Sequence, residues 1–68
     1  MRLVLMIIKT PEHFNMAADV AIDDDDPDQR SYSGIFADTE KGRNEMAELV
    51  IAALEAFSQR SKEVSGGR

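Results

Sequence analysis

Three aspartates at alternating positions, Asp24, Asp26 and Asp28, are the residues of this 68-residue chain whose spacing first suggests chemistry. A D-x-D-x-D run supplies the oxygen ligands of an EF-hand calcium loop. The rest of that pattern is missing, since Gln29 stands where the turn glycine belongs and Ile35 where the bidentate glutamate should be. Pro27 also stiffens the middle of the run, so no dedicated metal site is expected. His13 is the single histidine and the one candidate general base. Ser31, Tyr32 and Ser33 are the nearest hydroxyls of interest, but no spacing ties them to His13, and catalysis requires a base within reach of its partner. Gly34 and Gly42 are isolated, and Gly66-Gly67 precedes no helix, so no phosphate cradle is formed. With no cysteine, thiolate metal sites and disulfides are excluded. Neither a catalytic residue nor a cofactor is expected.

Charge is the stronger signal. The net charge is −5, and it is unevenly placed. Residues 1–11 carry +2 from Arg2 and Lys9, residues 12–28 carry −7 with no base, and residues 29–68 are balanced. Clustered Lys and Arg are what nucleic-acid binding needs, and here Lys41, Arg43, Arg60 and Lys62 are interleaved with acids. Direct nucleic-acid binding is therefore not expected. The inverse is: Asp23, Asp24, Asp25, Asp26 and Asp28, with Glu12 and Asp19 nearby, form a carboxylate row that a basic groove would accept in place of phosphates.

Four elements must position these groups. Residues 2–9 are an uninterrupted β-rich run, with Leu3, Leu5 and Ile7 on one face and Val4, Met6 and Ile8 on the other. Its apolar stretch is too short for a membrane span or a secretion signal, and a cytoplasmic protein is expected. From Phe14 to Asp23 apolar and polar residues alternate, which favours a half-buried strand. A helix after Thr10 and Pro11 is the alternative, giving βαβα. Residues 24–30 are a polar connection, and Ser31 to Ala37 a third strand, with Gly34 marking a bulge or a close backbone approach. Asp38 or Thr39 caps a helix to about Ser61, with Met46, Val50, Ala53, Leu54 and Phe57 as its apolar face. The fold class is α+β, a three-stranded antiparallel sheet followed by one long helix (βββα), in a single domain over 1–64 with a flexible tail at 65–68. If that helix covers one sheet face, Val4, Met6 and Ile8 on the other need a second cover, and a homodimer supplies it.

In size, acidity and organisation, and in its Asp-Asp-Asp-Asp-Pro-Asp run, the chain resembles small phage-encoded inhibitors of the anti-CRISPR and DNA-mimic kind. The resemblance is one of kind, carried by no motif. It implies a stoichiometric, non-enzymatic blocker of a basic nucleic-acid-binding protein or complex, acting without a cofactor in the host cytoplasm. The other expectation is a homodimeric structural or regulatory module that works through its apolar strand.

Overall fold

A computed structural model describes residues 1–66. Three strands, β1 (Arg2–Lys9), β2 (His13–Ala21) and β3 (Arg30–Ala37), precede one helix, α1 (Glu40–Gly66). The strands form an antiparallel meander in the order β1-β2-β3. This is the βββα arrangement. Residues 13–21 are strand rather than helix. A two-residue turn at Pro11 and Glu12 closes the first hairpin, where Thr10 N–H donates to His13 C=O at 2.8 Å and the Thr10 hydroxyl accepts the His13 N–H at 3.0 Å. The threonine that would cap the alternative helix is spent on the turn.

The alternation of β2 decides which face is inside. Met16, Ala18 and Val20 are buried, and their register partners Gly34, Tyr32 and Arg30 on β3 share that face. Against it α1 lays Ala53, which is buried, with Met46, Leu49 and Val50 packed around the cluster. Small side chains at Ala18 and Ala53 let helix and sheet approach closely. Phe57, expected in the core, is only half-buried. Phe57→Ala should therefore lower stability by about 1–2 kcal/mol, the value of a partly buried aromatic, rather than the larger loss of a full cavity. A urea melt of the variant checks this, and a loss above about 3 kcal/mol would place Phe57 in the core after all.

Thr39 is the helix cap. Its hydroxyl accepts the Gly42 N–H at 3.0 Å, and its carbonyl accepts the Arg43 N–H at 2.8 Å. Gly42 is required by space: a Cβ there would lie 2.0 Å from the Ala37 carbonyl oxygen. At Gly34 the β2–β3 register runs through without a bulge, and a Cβ would meet the side-chain ring of Phe36 at 2.7 Å, so the glycine makes room for a neighbouring side chain and marks neither a bulge nor a close backbone approach. The helix continues past Ser61 to Gly66. Ser65 and Gly66 thus belong to α1 and not to a tail, and 67–68 lie outside the described residues.

The position of α1 corrects the expectation that it covers one whole sheet face. It packs on β2 and β3 and leaves β1 outside its footprint. The reason is geometric. Only Asp38 and Thr39 separate β3 from α1, so the helix must start beside β3. A helix about 10 Å across spans two strands spaced about 4.8 Å apart, not three. As a result Leu5 and Ile7 on the helix side are as exposed as Val4, Met6 and Ile8 on the other, at 43–52%.

Candidate binding surfaces: the acidic loop and the open strand

The connection between β2 and β3 is built by its own carboxylates. Asp23 Oδ1 accepts the Asp25 N–H and Asp26 Oδ1 accepts the Asp28 N–H, both at 2.9 Å. These are two successive aspartate-capped turns, the habit that makes Asp a turn former. Asp26 Oδ2 accepts the Ile22 N–H at 2.8 Å and the Arg60 Nη2 at 2.6 Å. Its side chain is 2% exposed and that of Arg60 8%. The Ile22 N–H, then the Asp28 N–H and the Arg60 guanidinium, hold the Asp26 carboxyl below its ordinary value of 3.8 against the opposing effect of burial. Arg60 also reaches Asp28 at 3.3 Å.

This geometry corrects one expected contact residue. Asp26 faces inward and ties the loop to α1, so it is not available to a partner. Nothing local in the sequence distinguishes Asp26 from its neighbours, and Arg60, 34 residues away, read only as a cation at a helix end. Asp23, Asp24, Asp25 and Asp28 are exposed, although Asp24 is paired with Arg2. Asp19 lies on β2 and accepts the Ser31 hydroxyl at 2.6 Å. Glu12 sits in the hairpin at the other end of the sheet, roughly 30 Å from the loop along β2. It does not join the acidic row.

That far end has a carboxylate of its own. Asp38 accepts from Arg43 at 2.7 Å and lies 3.2 Å from Lys9, and those two cations, Arg43 foremost, hold its carboxyl below the usual range. His13 is exposed at the same end, paired in register with Ala37, whereas Ser31 pairs with Asp19 at the loop end. Six residues of strand, about 20 Å, separate His13 from Ser31. The two cannot act on one substrate atom.

The second surface is β1 itself. The Thr10 N–H donates to the His13 C=O at the turn, which sets the alternation along the hairpin. Arg2, Val4, Met6 and Ile8 turn their N–H and C=O toward β2, and Leu3, Leu5 and Ile7 turn theirs to the open edge. Between Leu3 and Ile8 there is no charge, proline or glycine, the devices that usually blunt an edge strand. The opposite edge, β3, is different: α1 covers one of its faces, and Arg30, Ser31 and Ser33 interrupt its apolar residues, of which Ile35 is 73% exposed. No protein-family model, curated relative or solved structure matches this chain significantly, so these two surfaces are what any functional reading must rest on.

Proposed function

We propose that this chain is a non-enzymatic interaction module whose working surface is β1. One observation carries the reading: five consecutive large apolar residues, Val4 to Ile8, stand 43–52% exposed on an edge strand that α1 does not cover. A contiguous apolar surface of this kind marks an interaction site or an aggregation hazard. The acidic loop then serves solubility, keeping a chain with so open an edge from indiscriminate association.

A second reading is favoured by a separate observation. The loop is held in shape by its turn hydrogen bonds and by the Asp26–Arg60 pair, so Asp23, Asp24, Asp25 and Asp28 are presented with little ordering left to do on binding. In that reading the chain blocks a basic nucleic-acid-binding partner, and each exposed pair contributes only about 0–1 kcal/mol.

Two variants separate the readings. One carries Leu5→Lys with Met6→Lys; the other converts Asp23, Asp24, Asp25 and Asp28 to Asn and leaves Asp26 in place. Immobilised wild type and both variants are offered a native lysate spiked with labelled wild-type chain, then eluted with rising salt. The β1 reading expects capture that resists salt, survives the loop variant and disappears with the β1 variant. Capture that elutes at moderate salt and is lost only with the loop variant would replace it with the inhibitor reading.

A further inference from the structure

We infer that the groove between β1 and the adjoining flank of α1 receives a cationic amphipathic helix of another protein, its basic end at the acidic loop. The inference rests on the β1 reading above, specifies the occupant, and gives the loop a part in choosing it. The groove has a floor and one wall. Its floor is the helix side of β1, where Leu5 and Ile7 are 43% and 45% exposed. Its wall is fixed by contacts at the hairpin end. Lys9 lies on that same side of the sheet, its ammonium 5.4 Å from the centre of the Phe14 ring, and it shares the Asp38 carboxylate with Arg43. The Arg43 flank of α1 therefore faces β1. Steps of four, seven and eleven residues from Arg43 bring Ala47, Val50 and Leu54 onto that flank, and Leu54 is 46% exposed. The opposite flank is polar, with Glu45, Glu48, Gln59 and Glu63 exposed.

Dimensions select a helix as the occupant. α1 packs over β2 and β3, strands lie about 4.8 Å apart, and packed helices keep their axes about 8–10 Å apart. A second helix laid beside α1 is thus centred over β1 and its open edge. There it covers Leu5, Ile7 and Leu54 together, by the helix-in-groove mode of recognition. A strand added to the edge of β1 would leave the Leu54 wall and the Leu5 floor bare.

Charge selects its sign. The groove ends at the acidic loop, where β1 begins and α1 finishes, as the Arg2–Asp24 and Arg60–Asp26 pairs show. Asp23, Asp24, Asp25 and Asp28 are exposed there, and Asp23 and Asp25 have no ion pair among the described residues. Lys or Arg at the adjacent end of the occupant meets these carboxylates. A second copy of this chain would instead bring another net charge of −5. The apolar groove supplies the affinity, while the loop steers encounter and rejects acidic helices.

The test uses labelled peptides of about 17 residues, which as a helix match the roughly 26 Å of β1. One carries a leucine stripe at helical spacing and lysines in one terminal turn; a second has glutamate for each lysine; a third scrambles the first. Fluorescence anisotropy should show the wild type binding the lysine peptide about tenfold more tightly than the other two, with a gain of helical circular dichroism. Leu5→Lys and Leu54→Lys should each weaken that binding by about tenfold or more, while Ile8→Lys, on the other face of β1, should change it less than about twofold. Both affected side chains are already half exposed, and Leu54→Ala is the gentler second variant. Converting Asp23, Asp24, Asp25 and Asp28 to Asn should leave binding in place but shrink the lysine-over-glutamate preference to about twofold. No binding of the lysine peptide beyond its scrambled form at 100 µM, or binding that Leu54→Lys and Leu54→Ala leave intact, overturns the groove. A preference unchanged in the loop variant overturns the charge match. Equal losses from Leu5→Lys and Ile8→Lys with none from Leu54→Lys overturn the helix in favour of an added strand. The β1 reading fails separately, when Leu5→Lys with Met6→Lys leaves capture from the lysate intact.

Discussion

Gly42→Ala is expected to abolish the folded state under conditions where the wild type is stable. The added Cβ would lie 2.0 Å from the Ala37 carbonyl oxygen and 2.8 Å from its carbon. Both are backbone atoms at the end of β3, so no rotamer change relieves the overlap. The start of α1 must move away, which breaks the Thr39 cap and lifts Met46 off the core. Overpacking a tight contact usually destabilises by about 1–3 kcal/mol, and more where backbone must shift. A chain of this length has roughly 3–10 kcal/mol in total. This effect also reverses the helix-propensity expectation, by which Ala in place of Gly inside a helix stabilises by about 1 kcal/mol. Gly34→Ala is the control, because its Cβ meets the movable ring of Phe36 instead. That variant should fold and melt lower. Thermal melts followed by circular dichroism decide the matter, and a Gly42→Ala protein that melts with wild-type cooperativity would show the helix–strand contact to be looser than 2.0 Å implies.

The next largest effect should come from Asp26. Asp26→Ala removes the acceptor shared by the Ile22 N–H and Arg60 and leaves a buried guanidinium without its main partner. Its Tm should fall several times further than that of Asp24→Ala, whose carboxylate is 88% exposed. The pH dependence follows with a definite sign. The folded-state pKa values of Asp26 and Asp38 lie below the ordinary 3.8. Their contribution is therefore complete above about pH 5, where both states are ionised, and is lost as the pH falls below 4 through the folded values. Tm should hold steady from pH 7 to 5 and then drop. In Asp26→Asn the drop should be shallower, from a lower starting Tm. A wild-type Tm unchanged down to pH 2 would remove these carboxylates from the stability of the fold.

Much of the architecture was legible because it is written in periodicity. The two-residue alternation sets Phe14, Met16, Ala18, Val20 and Ile22 against a polar side; Met16, Ala18 and Val20 are buried, Phe14 and Ile22 only half-buried, and Ala21, on the polar side of the pattern, is buried as well. The 3.6-residue period of α1 named Met46, Val50 and Ala53, which meet Met16 and Ala18. Leu54 was placed on the same face and is 46% exposed, because a wheel orders residues by angle without knowing how wide a surface the helix meets. Among the candidate contact residues, Asp23, Asp24, Asp25 and Asp28 lie exposed in one loop. Glu12 is separated from them by a full strand, which follows from its being strand, not helix, between them.

Residue order alone determined the strand and helix periods, the uneven charge, the lack of thiols, and an apolar first strand too rich to be satisfied by one helix. Each is a local property or a count, readable without knowing which segments meet. Three things were decided only in three dimensions. Asp26 turned inward because its partner, Arg60, arrives from 34 residues away. Gly42 became indispensable because the two-residue connection brings it against the Ala37 carbonyl. The width of one helix against the spacing of three strands left β1 uncovered on both faces and along its edge. The last is a matter of dimensions, about 10 Å of helix over a three-stranded sheet, and it turned an apolar run in the sequence into an open surface on the molecule.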